Sequence, residues 1–582
     1  MKDTAENIKT NVAGRGAEDG LYPLAIGCYL LTVLVCCYAG AVFLFACGES
    51  VKPWLFPFAL VSGGIAVRLM VDRRDAQKAI VIGLLTVAVS LVVATLLDDS
   101  SSDGIIYHQE MIVHILNGWN PFTTYIAGSA DPDLELLVAH YAKGIEIMAA
   151  VVARCTGRIE SGKLVNLLLL AGTYFVVYAV MVRRAVGRSR MSIVMLSLLL
   201  VANPVGMGQC LTYYNDFAGY YMMLLLVAVC GYAPASFSLR QCLAAGAVIV
   251  MAAAVKFTAF FYCGVTVGAI MLWQTLSGRR AVAMRVGVTA FVAALAAVTM
   301  LCYHPYITNY LHAGHPCYPL MGEGAIDIMT GNTPEVFRGH NRFYNFWRSL
   351  FSVTMPAVAP GAGGFGPAGS IMLIIAGGVL VAGTMTRRIK PIYSYAALWA
   401  FGACFVFEQS WWARYIPFFW LIPCCAAISV DRLGGCWRAL RLSLVVLGLF
   451  SGAIYFASTF YRDLQLTYAR YYAYRLVGDD TAVINGGLLI EDGEIISRGV
   501  LSVERHLNEH GKSIIDIAVA RHSSSDVVPV AISSFYSDDS KVELYFPSSR
   551  RKEIREFFIH SIPSRLLRLN NFVPSADEES PQ

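Results

Sequence analysis

Charged residues are scarce in this chain. Of its 582 residues, 15% are Asp, Glu, Lys or Arg, while 56% are hydrophobic. A soluble protein of this length needs a larger charged surface, so the composition excludes an ordinary soluble enzyme or binding domain. The formal net charge of +5 is also small. Because the basic residues lie in short clusters between apolar stretches, nucleic-acid binding is disfavoured.

Metal-binding and secretion motifs are missing as well. The 15 cysteines lie mostly inside apolar runs such as VCCYAG and IPCCAAI, where cysteine behaves as a small buried apolar residue. They form no pairs in loops with the spacing of zinc ligands. The segment HAGHPCYP, residues 312–319, also lacks the spacing of a zinc site. The N-terminus, MKDTAENIKTNVAGRGAEDG, is polar and lacks a signal-peptide pattern.

What the chain does contain is a series of apolar stretches, each long enough to cross a bilayer. We predict an all-α polytopic membrane protein with about thirteen transmembrane helices. The predicted spans are residues 22–47, 53–70, 78–97, 162–182, 191–209, 216–233, 241–258, 259–277, 284–302, 367–386, 391–408, 415–430 and 439–459.

Basic clusters in the short loops predict the orientation. With the N-terminus inside, all of them fall on the cytoplasmic face, as the positive-inside rule requires. They are Arg73, Arg74 and Lys78; Arg183, Arg184, Arg188 and Arg190; Arg279, Arg280 and Arg285; Arg387, Arg388 and Lys390; and Arg432, Arg438 and Arg441. Counting residues 136–155 as a span would place the second cluster on the outer face. We therefore predict a helix at the outer interface there.

The same topology divides the chain into functional parts. The long segments 98–161 and 303–366 fall on the outer face, where binding and catalytic sites are usually built on loops. The predicted parts are a cytoplasmic tail (1–21), an N-terminal transmembrane hairpin (22–77), a transmembrane catalytic module (78–459), a small extracytoplasmic α/β domain (460–572) and a disordered acidic tail (573–582).

Acidic residues at the end of the third span are the strongest functional signal. LLDDSSSDGIIYHQE, residues 96–110, places Asp98, Asp99 and Asp103 at the mouth of a membrane helix, where carboxylates are costly unless they have a role. Asp103 would be a general base within reach of an acceptor hydroxyl, with Tyr107 one helical turn away and His108 beside it. A helix N-cap is an equally good interpretation of Asp103.

A second group of candidates lies elsewhere on the predicted outer face. Asp216, in TYYNDFAGYY, stands where the chain turns back into the membrane, as a second acid or as an N-cap. Lys143, in HYAKGIEIM, and Lys256, in AAAVKFTAFF, could each bind a lipid-linked phosphate or simply snorkel to the interface.

Arginines and aromatic residues fill the remaining outer segments. Arg338 and Arg342 lie in the loop 303–366, and Arg414 lies in EQSWWARYIPFFW. The planar guanidinium suits a phosphate, and aromatic rings suit sugar faces. Arg414 is equally compatible with an interfacial anchor.

Together these motifs resemble the GT-C superfamily of polyprenyl-phosphate-sugar glycosyltransferases. An outer D-x-x-x-Y is followed by a Tyr-x-Lys-Gly element (Tyr141, Lys143, Gly144), a basic turn and an acidic corner at Asp216. The likeness is strongest to the bacterial branch of the protein O-mannosyltransferases and the lipid A aminoarabinose transferase, and it covers roughly residues 78–420. The N-terminal hairpin and the upstream Asp98 and Asp99 depart from the family pattern.

The resemblance implies a reaction. Asp103 would be the base or acceptor-orienting acid, Asp216 the second acid and Lys143 the donor-phosphate lysine. The sugar would pass with inversion, in a single displacement, from a polyprenyl phosphate to a glycan, lipid or protein acceptor. No cofactor is expected, although Mg²⁺ or Mn²⁺ on Asp98 and Asp99 is possible. The implied location is the bacterial inner membrane, with an extracytoplasmic site.

Two other function classes fit the sequence. A polysaccharide ligase or polymerase would use lipid-diphosphate glycans with similar basic outer loops. A lipid-linked glycan flippase, the non-enzyme alternative, would have charges deep in the bundle and balanced loops on both faces. The uneven loops favour an enzyme, but they do not identify the sugar or the acceptor.

Overall fold

A computed structural model describes most of the membrane region and parts of the C-terminal region. The described residues are 21–126, 132–184, 186, 189–231, 236–326, 333–353, 356–359, 362–407, 409–476, 482–485, 489–491, 494–496, 505–506, 508–509, 527–534, 537–547, 552 and 568–570. The predicted cytoplasmic tail, except Leu21, and the predicted acidic tail lie outside them.

Helices dominate the chain up to residue 476. In order, they are α1 (Leu21–Ala46), α2 (Leu55–Arg68), α3 (Arg73–Leu96), α4 (Gln109–Leu116), α5 (Pro132–His140), α6 (Gly144–Thr156), α7 (Leu164–Arg183), α8 (Arg190–Val201), α9 (Pro204–Gln209), α10 (Asp216–Gly231), α11 (Leu239–Val255), α12 (Phe257–Leu276), α13 (Arg280–Ala296), α14 (Tyr303–Ala313), α15 (Arg342–Leu350), α16 (Gly369–Met385), α17 (Pro391–Ala403), α18 (Leu421–Ser429) and α19 (Cys436–Leu476). Short π or 3₁₀ turns occupy Gly104–His108, Ile159–Lys163, Ala297–Leu301, Glu335–Phe337, Ala413–Tyr415 and Pro417–Trp420.

Several of these helices have the length and composition of membrane spans, which makes the chain a helical multi-pass membrane protein. Within the described residues there are 6 such helices: Leu21–Ala46, Arg73–Leu96, Ile159–Arg183, Phe257–Leu276, Arg280–Leu301 and Cys436–Tyr468. On α3, the large apolar side chains of Val81, Leu85 and Val89 point outward and are exposed. Apolar faces of this extent are unfavourable in water and suit contact with lipid.

The other predicted spans are shorter or interrupted helices. Leu55–Arg68, Arg190–Val201, Asp216–Cys230, Leu239–Val255, Gly369–Met385 and Pro417–Ser429 are apolar but have fewer than 18 residues. The predicted span 391–408 contains a helix of only 13 residues, Pro391–Ala403. Since a bilayer core needs about 20 helical residues, the total of thirteen spans stays a prediction.

Two predicted helices are broken by residues with identifiable roles. The predicted span 191–209 ends at Val201 and restarts at Pro204, because Asn203 accepts a hydrogen bond from the Val205 N–H at 2.9 Å and caps a new helix. The prediction of one helix over 136–155 is wrong, since α5 and α6 are separated by Tyr141–Lys143. A Cβ on Gly144 would lie 2.8 Å from the Ala254 carbonyl carbon, so the close approach of α6 to α11 requires glycine.

Strands are found only after residue 481 in the described part of the chain. They are β1 (Ala482–Asn485), β2 (Leu489–Glu491), β3 (Glu494–Ile496), β4 (Val527–Ser534), β5 (Ser537–Pro547) and β6 (Arg568–Asn570). The first sheet has the order β1-β5-β4-β6, and β2 pairs with β3; every pairing is antiparallel. Because most residues between the strands lie outside the described set, the separate α/β domain stays a prediction.

Candidate functional site

Asp103 directly precedes a π turn that lies between α3 and α4. The turn spans Gly104–His108, and such turns widen a helix locally and are frequent at functional sites. Four residues on, the Tyr107 hydroxyl donates a hydrogen bond to Asp103 Oδ2 at 3.3 Å. The Asp103 side chain remains 24% exposed, so this carboxylate is held in place and open to a ligand.

Arg414 joins Asp103 to the second predicted acid, Asp216. Its Nη1 lies 3.3 Å from Asp103 Oδ2, and its Nε lies 3.5 Å from Asp216 Oδ2. The guanidinium carbon also lies 4.4 Å from the centre of the Trp412 ring, which fixes the plane of the fork. Two acids that are 113 positions apart in sequence therefore share one arginine, as bidentate donors allow.

Asp216 is more completely enclosed than Asp103. Its side chain is 2% exposed, and its Oδ1 is ion-paired with the Lys256 ammonium. Gln209 Nε2 donates to Asp216 Oδ2 at 3.1 Å, while Gln209 Oε1 accepts from the Phe217 N–H at 3.1 Å. Lys256 reaches this position because it is the single extended residue between α11 and α12. Asp216 thus holds both cations in position.

Four tyrosines surround the cluster formed by Asp103, Asp216, Lys256 and Arg414, which we call the aspartate–arginine cluster. They are Tyr107, Tyr141, Tyr214 and Tyr415. Burial, followed by the charge of Asp103, raises the pKa of Tyr107 and of Tyr214 above the ordinary value. Their hydroxyls therefore stay protonated and can donate hydrogen bonds.

A cavity of about 10 Å³ opens beside Asp216 and Arg414. Its walls are Gly219, Tyr220 and Met223 of α10, Thr258, Ala259 and Tyr262 of α12, and the segment Tyr415–Phe418. Apolar side chains from two helices thus lie next to the charged cluster. The cavity itself has room for about one water molecule.

His108, a predicted substrate ligand, lies beneath the site. Its ring centre is 4.2 Å from that of Tyr107, and its Nδ1 is hydrogen-bonded to Glu146 Oε1 of α6. Both side chains are almost fully buried. Here His108 supports Tyr107 and links the π turn to α6.

Lys143 has a different environment from the one that the family resemblance implies. Its Nζ donates to the Tyr141 carbonyl oxygen and to His304 Nε2, each at 2.6 Å, and lies 5.4 Å from the centre of the Trp119 ring. The residue is 1% exposed. Burial lowers the pKa of Lys143 to about 7, against an opposing effect of Glu146. All three ammonium donors therefore already face protein groups.

Arg338 and Arg342 stand apart from the aspartate–arginine cluster. Arg338 Nε donates to the Thr333 carbonyl oxygen at 2.9 Å, and Arg342 Nη1 donates to the Phe405 carbonyl oxygen at 3.1 Å. Both bonds are exposed to solvent. Within the described residues, no hydrogen bond or ion pair joins either arginine to Asp103 or Asp216.

Asp98 and Asp99 belong to a second charged group, the buried ionic network. Asp99 Oδ1 accepts from the Ser101 N–H and Oδ2 from the Tyr213 N–H, both at 2.8 Å. Asp98 Oδ2 lies 3.5 Å from Arg470 Nη1. Burial raises the pKa of Asp99 to about 6, although Lys163 opposes the shift. Both oxygens of Asp99 are thus engaged by the backbone.

The same network connects three distant parts of the chain. Glu160 Oε2 is 2.7 Å from Lys163 Nζ, and Glu160 Oε1 is 3.1 Å from His506 Nε2. Asp463 Oδ1 of α19 accepts from the Ser100 hydroxyl at 2.6 Å. The network therefore fixes the loop after α3, the start of α7 and the long helix α19 relative to one another.

The possibility of a metal on Asp98 and Asp99 can be judged from this geometry. Ligand atoms of Asp98, Glu160 and His506 lie within 4.8 Å of one another. Asp99 is not one of the three, and its oxygens accept the two backbone N–H groups. Arg470 and Lys163 already supply positive charge to the carboxylates, so a divalent cation would have to displace them.

Sequence reasoning missed several residues of both groups. Gln209 and Tyr214 give no chemical signal in an apolar stretch, and Asp463 lies where the last helix continues beyond the predicted span end at residue 459. Glu160 and Lys163 did carry a signal, namely an acid and a base three residues apart on a turn before an apolar helix.

Comparison of the sequence with the models of known protein families gives no match. Comparison with curated proteins gives no significant similarity either. The resemblance to GT-C glycosyltransferases therefore depends on the short motifs alone.

Proposed function

We propose that this protein is an integral-membrane glycosyltransferase of the GT-C type. It would move a sugar from a polyprenyl-phosphate donor to a cell-envelope acceptor. The single observation that carries the proposal is Arg414, which lies between a partly open carboxylate, Asp103, and a buried one, Asp216, that also holds Lys256. An acid and two cations side by side are what proton removal and phosphate departure require.

Asp103 is the proposed base. The acceptor hydroxyl loses its proton to Asp103 as its oxygen bonds to the anomeric carbon, and the bond from that carbon to the phosphate oxygen breaks. The donor phosphodiester carries one negative charge and the released phosphate carries two. Because Asp103 becomes neutral in the same step, the total charge of the site is unchanged.

Arg414 and Lys256 are the proposed phosphate ligands. When Asp103 is protonated, its attraction for Arg414 weakens, and the guanidinium can turn toward the departing phosphate. Lys256, kept in place by Asp216, adds a second positive charge. The lipid chain would follow the apolar wall between α10 and α12. In this proposal Lys143 positions Tyr141 and His304, since its own donors are engaged.

The proposal includes a topology and a domain plan. The aspartate–arginine cluster, the segments 98–161 and 303–366, and an α/β domain within 460–572 would lie outside the cytoplasm of a bacterial inner membrane, with about thirteen spans in total. A thiol-accessibility test would use a background in which the exposed Cys47, Cys155 and Cys436 are replaced by serine. Cysteines at Thr123 and Glu323 should react with a membrane-impermeant reagent in intact cells, whereas Ser277→Cys should be protected.

A transfer assay tests the chemistry directly. The purified full chain in lipid nanodiscs is incubated with a panel of polyprenyl-phosphate sugars and envelope acceptors, and the release of polyprenyl phosphate is measured. We expect turnover with at least one donor, and product of inverted anomeric configuration. Release only from lipid-diphosphate glycans would indicate the ligase or polymerase instead. Movement of the intact lipid across the bilayer without release would indicate the flippase.

A chelator tests whether Arg414 and Lys256 supply enough positive charge without a divalent cation. Because Arg414 and Lys256 supply the positive charge, turnover should survive a chelator. Loss of turnover with the chelator and recovery with Mg²⁺ or Mn²⁺ would place a metal on the phosphate.

A further inference from the structure

A second cavity, larger than the one beside Asp216, lies between the segment after α4 and helix α14. Its volume is about 70 Å³. Aromatic side chains from both elements line it, namely Trp119, Phe122, Tyr125 and Tyr303. The polar groups around it are Thr123, Thr124, His140, His304, Thr308, Asn309 and His312. Among the described residues that line the cavity, none is acidic.

The hydrogen bonds of His140 fix the orientation of its ring. Asn309 Nδ2 donates to the His140 and Tyr318 carbonyl oxygens at 3.0 and 2.7 Å, so Asn309 Oδ1 is the acceptor for His140 Nδ1 at 2.9 Å. His140 Nε2 is hydrogen-bonded to the Tyr125 hydroxyl at 3.1 Å. Both ring nitrogens therefore have fixed partners.

His304 is held in the same way. Its Nε2 accepts from the Lys143 ammonium at 2.6 Å, and its Nδ1–H donates to Thr308 Oγ1 at 2.8 Å. The Thr308 hydroxyl donates its own hydrogen bond to the Pro305 carbonyl oxygen at 3.2 Å. Burial, and then the charge of Lys143, keeps the pKa of His304 well below its usual range. Two buried imidazoles with fixed hydrogen-bond partners thus border an aromatic cavity.

These features define the ligand chemistry. Threonine hydroxyls, oriented imidazoles and flat aromatic walls suit an uncharged polyhydroxylated ring, and no lysine or arginine is among the described residues that line the cavity. The volume corresponds to about five to seven water positions, which is the scale of one sugar ring. We propose that this cavity binds one sugar ring of the acceptor, so that the acceptor is a glycan.

The acceptor is a better occupant than the donor sugar for a geometric reason. The donor sugar is bonded directly to the phosphate, which Arg414 and Lys256 are proposed to bind. The two cavities share no lining residue. They are connected through Tyr141, whose ring centre is 6.4 Å from that of Tyr107 beside Asp103, and through Lys143, which holds His304. A glycan seated in the second cavity could direct a neighbouring hydroxyl toward Asp103.

The inference rests on the proposed glycosyl transfer, so its test measures binding. Saturation-transfer NMR on the full chain in nanodiscs would use the methyl glycosides of glucose, mannose, N-acetylglucosamine and arabinose as probes. We expect saturable binding of at least one glycoside. Tyr125→Ala removes a wall that is 42% exposed, and it should weaken this binding about tenfold or more. Tyr310→Ala, at an exposed tyrosine of α14 that does not line the cavity, is the matched control.

Each outcome of this experiment has a defined meaning. No saturable binding of any probe, or equal binding by the wild type and Tyr125→Ala, overturns the inference. Displacement of the glycoside by inorganic phosphate also overturns it and identifies an anion site. Asp103→Asn should bind the glycoside normally even if it is inactive. Binding without turnover in the wild type would therefore refute the proposed reaction and leave the sugar site standing.

Discussion

Asp99 and Asp103 follow the C-terminal end of α3 and are only four residues apart in sequence, but their surroundings differ. Asp99 is fully buried and gives both its oxygens to backbone N–H groups. Asp103 is partly exposed, and its contacts, at 3.3 Å each, are the side chains of Tyr107 and Arg414. One carboxylate is enclosed by backbone partners, and the other is held by side chains.

This difference separates a structural role from a chemical one. A carboxylate that accepts two backbone hydrogen bonds cannot leave them without exposing buried donors, so it stabilises the loop. A carboxylate held by an arginine can exchange that partner for a substrate. The buried ionic network thus fixes the loop between α3 and α4, and the aspartate–arginine cluster uses the position that results. Three substitutions test this division, and a fourth tests a buried lysine outside both groups.

The largest expected effect is that of Asp103→Asn on turnover. The amide keeps the size of the carboxylate but cannot accept the proton, so the turnover rate should fall at least about a hundredfold. The melting temperature should change little because the side chain is partly open. Single-turnover rates and thermal melting of the same preparation measure both quantities. Near-normal turnover in a stable Asp103→Asn protein would remove Asp103 as the base.

Arg414→Lys should have the next largest effect. Lysine keeps the charge but cannot contact Asp103 and Asp216 through separate nitrogens or stack on Trp412. We expect kcat/KM for the lipid donor to fall about ten- to a hundredfold, with much of the loss in kcat if the guanidinium binds the departing phosphate. Arg342→Lys, at an exposed arginine bonded to a backbone carbonyl, should retain normal kinetics. Equal effects of the two changes would contradict the proposed role of Arg414.

Asp99→Asn should lower the melting temperature and leave turnover nearly normal, which is the opposite of the result expected for Asp103→Asn. One of its two backbone donors would face an amide NH₂ instead of an oxygen, at a cost of about 1–3 kcal/mol. We therefore expect a melting temperature several degrees lower, and near-normal turnover at temperatures where the variant remains folded. Unchanged melting together with lost turnover would transfer the catalytic role to Asp99.

The sequence predicted the members of the aspartate–arginine cluster better than their contacts. Asp103, Asp216, Lys256 and Arg414 were all candidates because charged residues at the ends of apolar helices are costly and conspicuous. That one arginine joins the two acids depends on the packing of α10 against the segment 411–420. Such packing has no local sequence signal.

The sequence predicted the long helices of the fold better than the places where helices break. Length and hydropathy identify helices such as α3 and α12, because a bilayer imposes a minimum length. They do not locate the break at Asn203, which depends on a single cap, and they place the break at Lys256 two residues too far along the chain. The burial of Lys143 was not predicted. The interfacial helix predicted over residues 136–155 would have left the Lys143 ammonium in water.

The smallest expected effect concerns Lys143 and depends on pH. Burial lowers its pKa from the ordinary value of 10.5 to about 7. Between these two values the unfolded chain binds a proton that the folded protein does not, so the stability contributed by this group rises with pH. Lys143→Met removes the titration. The melting temperature of the wild type minus that of Lys143→Met should therefore increase by about 1–3 °C from pH 7 to pH 9. Lys78→Met, at an exposed lysine, should melt in parallel with the wild type over the same range. A difference that stays constant for Lys143→Met would mean that Lys143 remains charged in the fold, with its ammonium available to bind an anion.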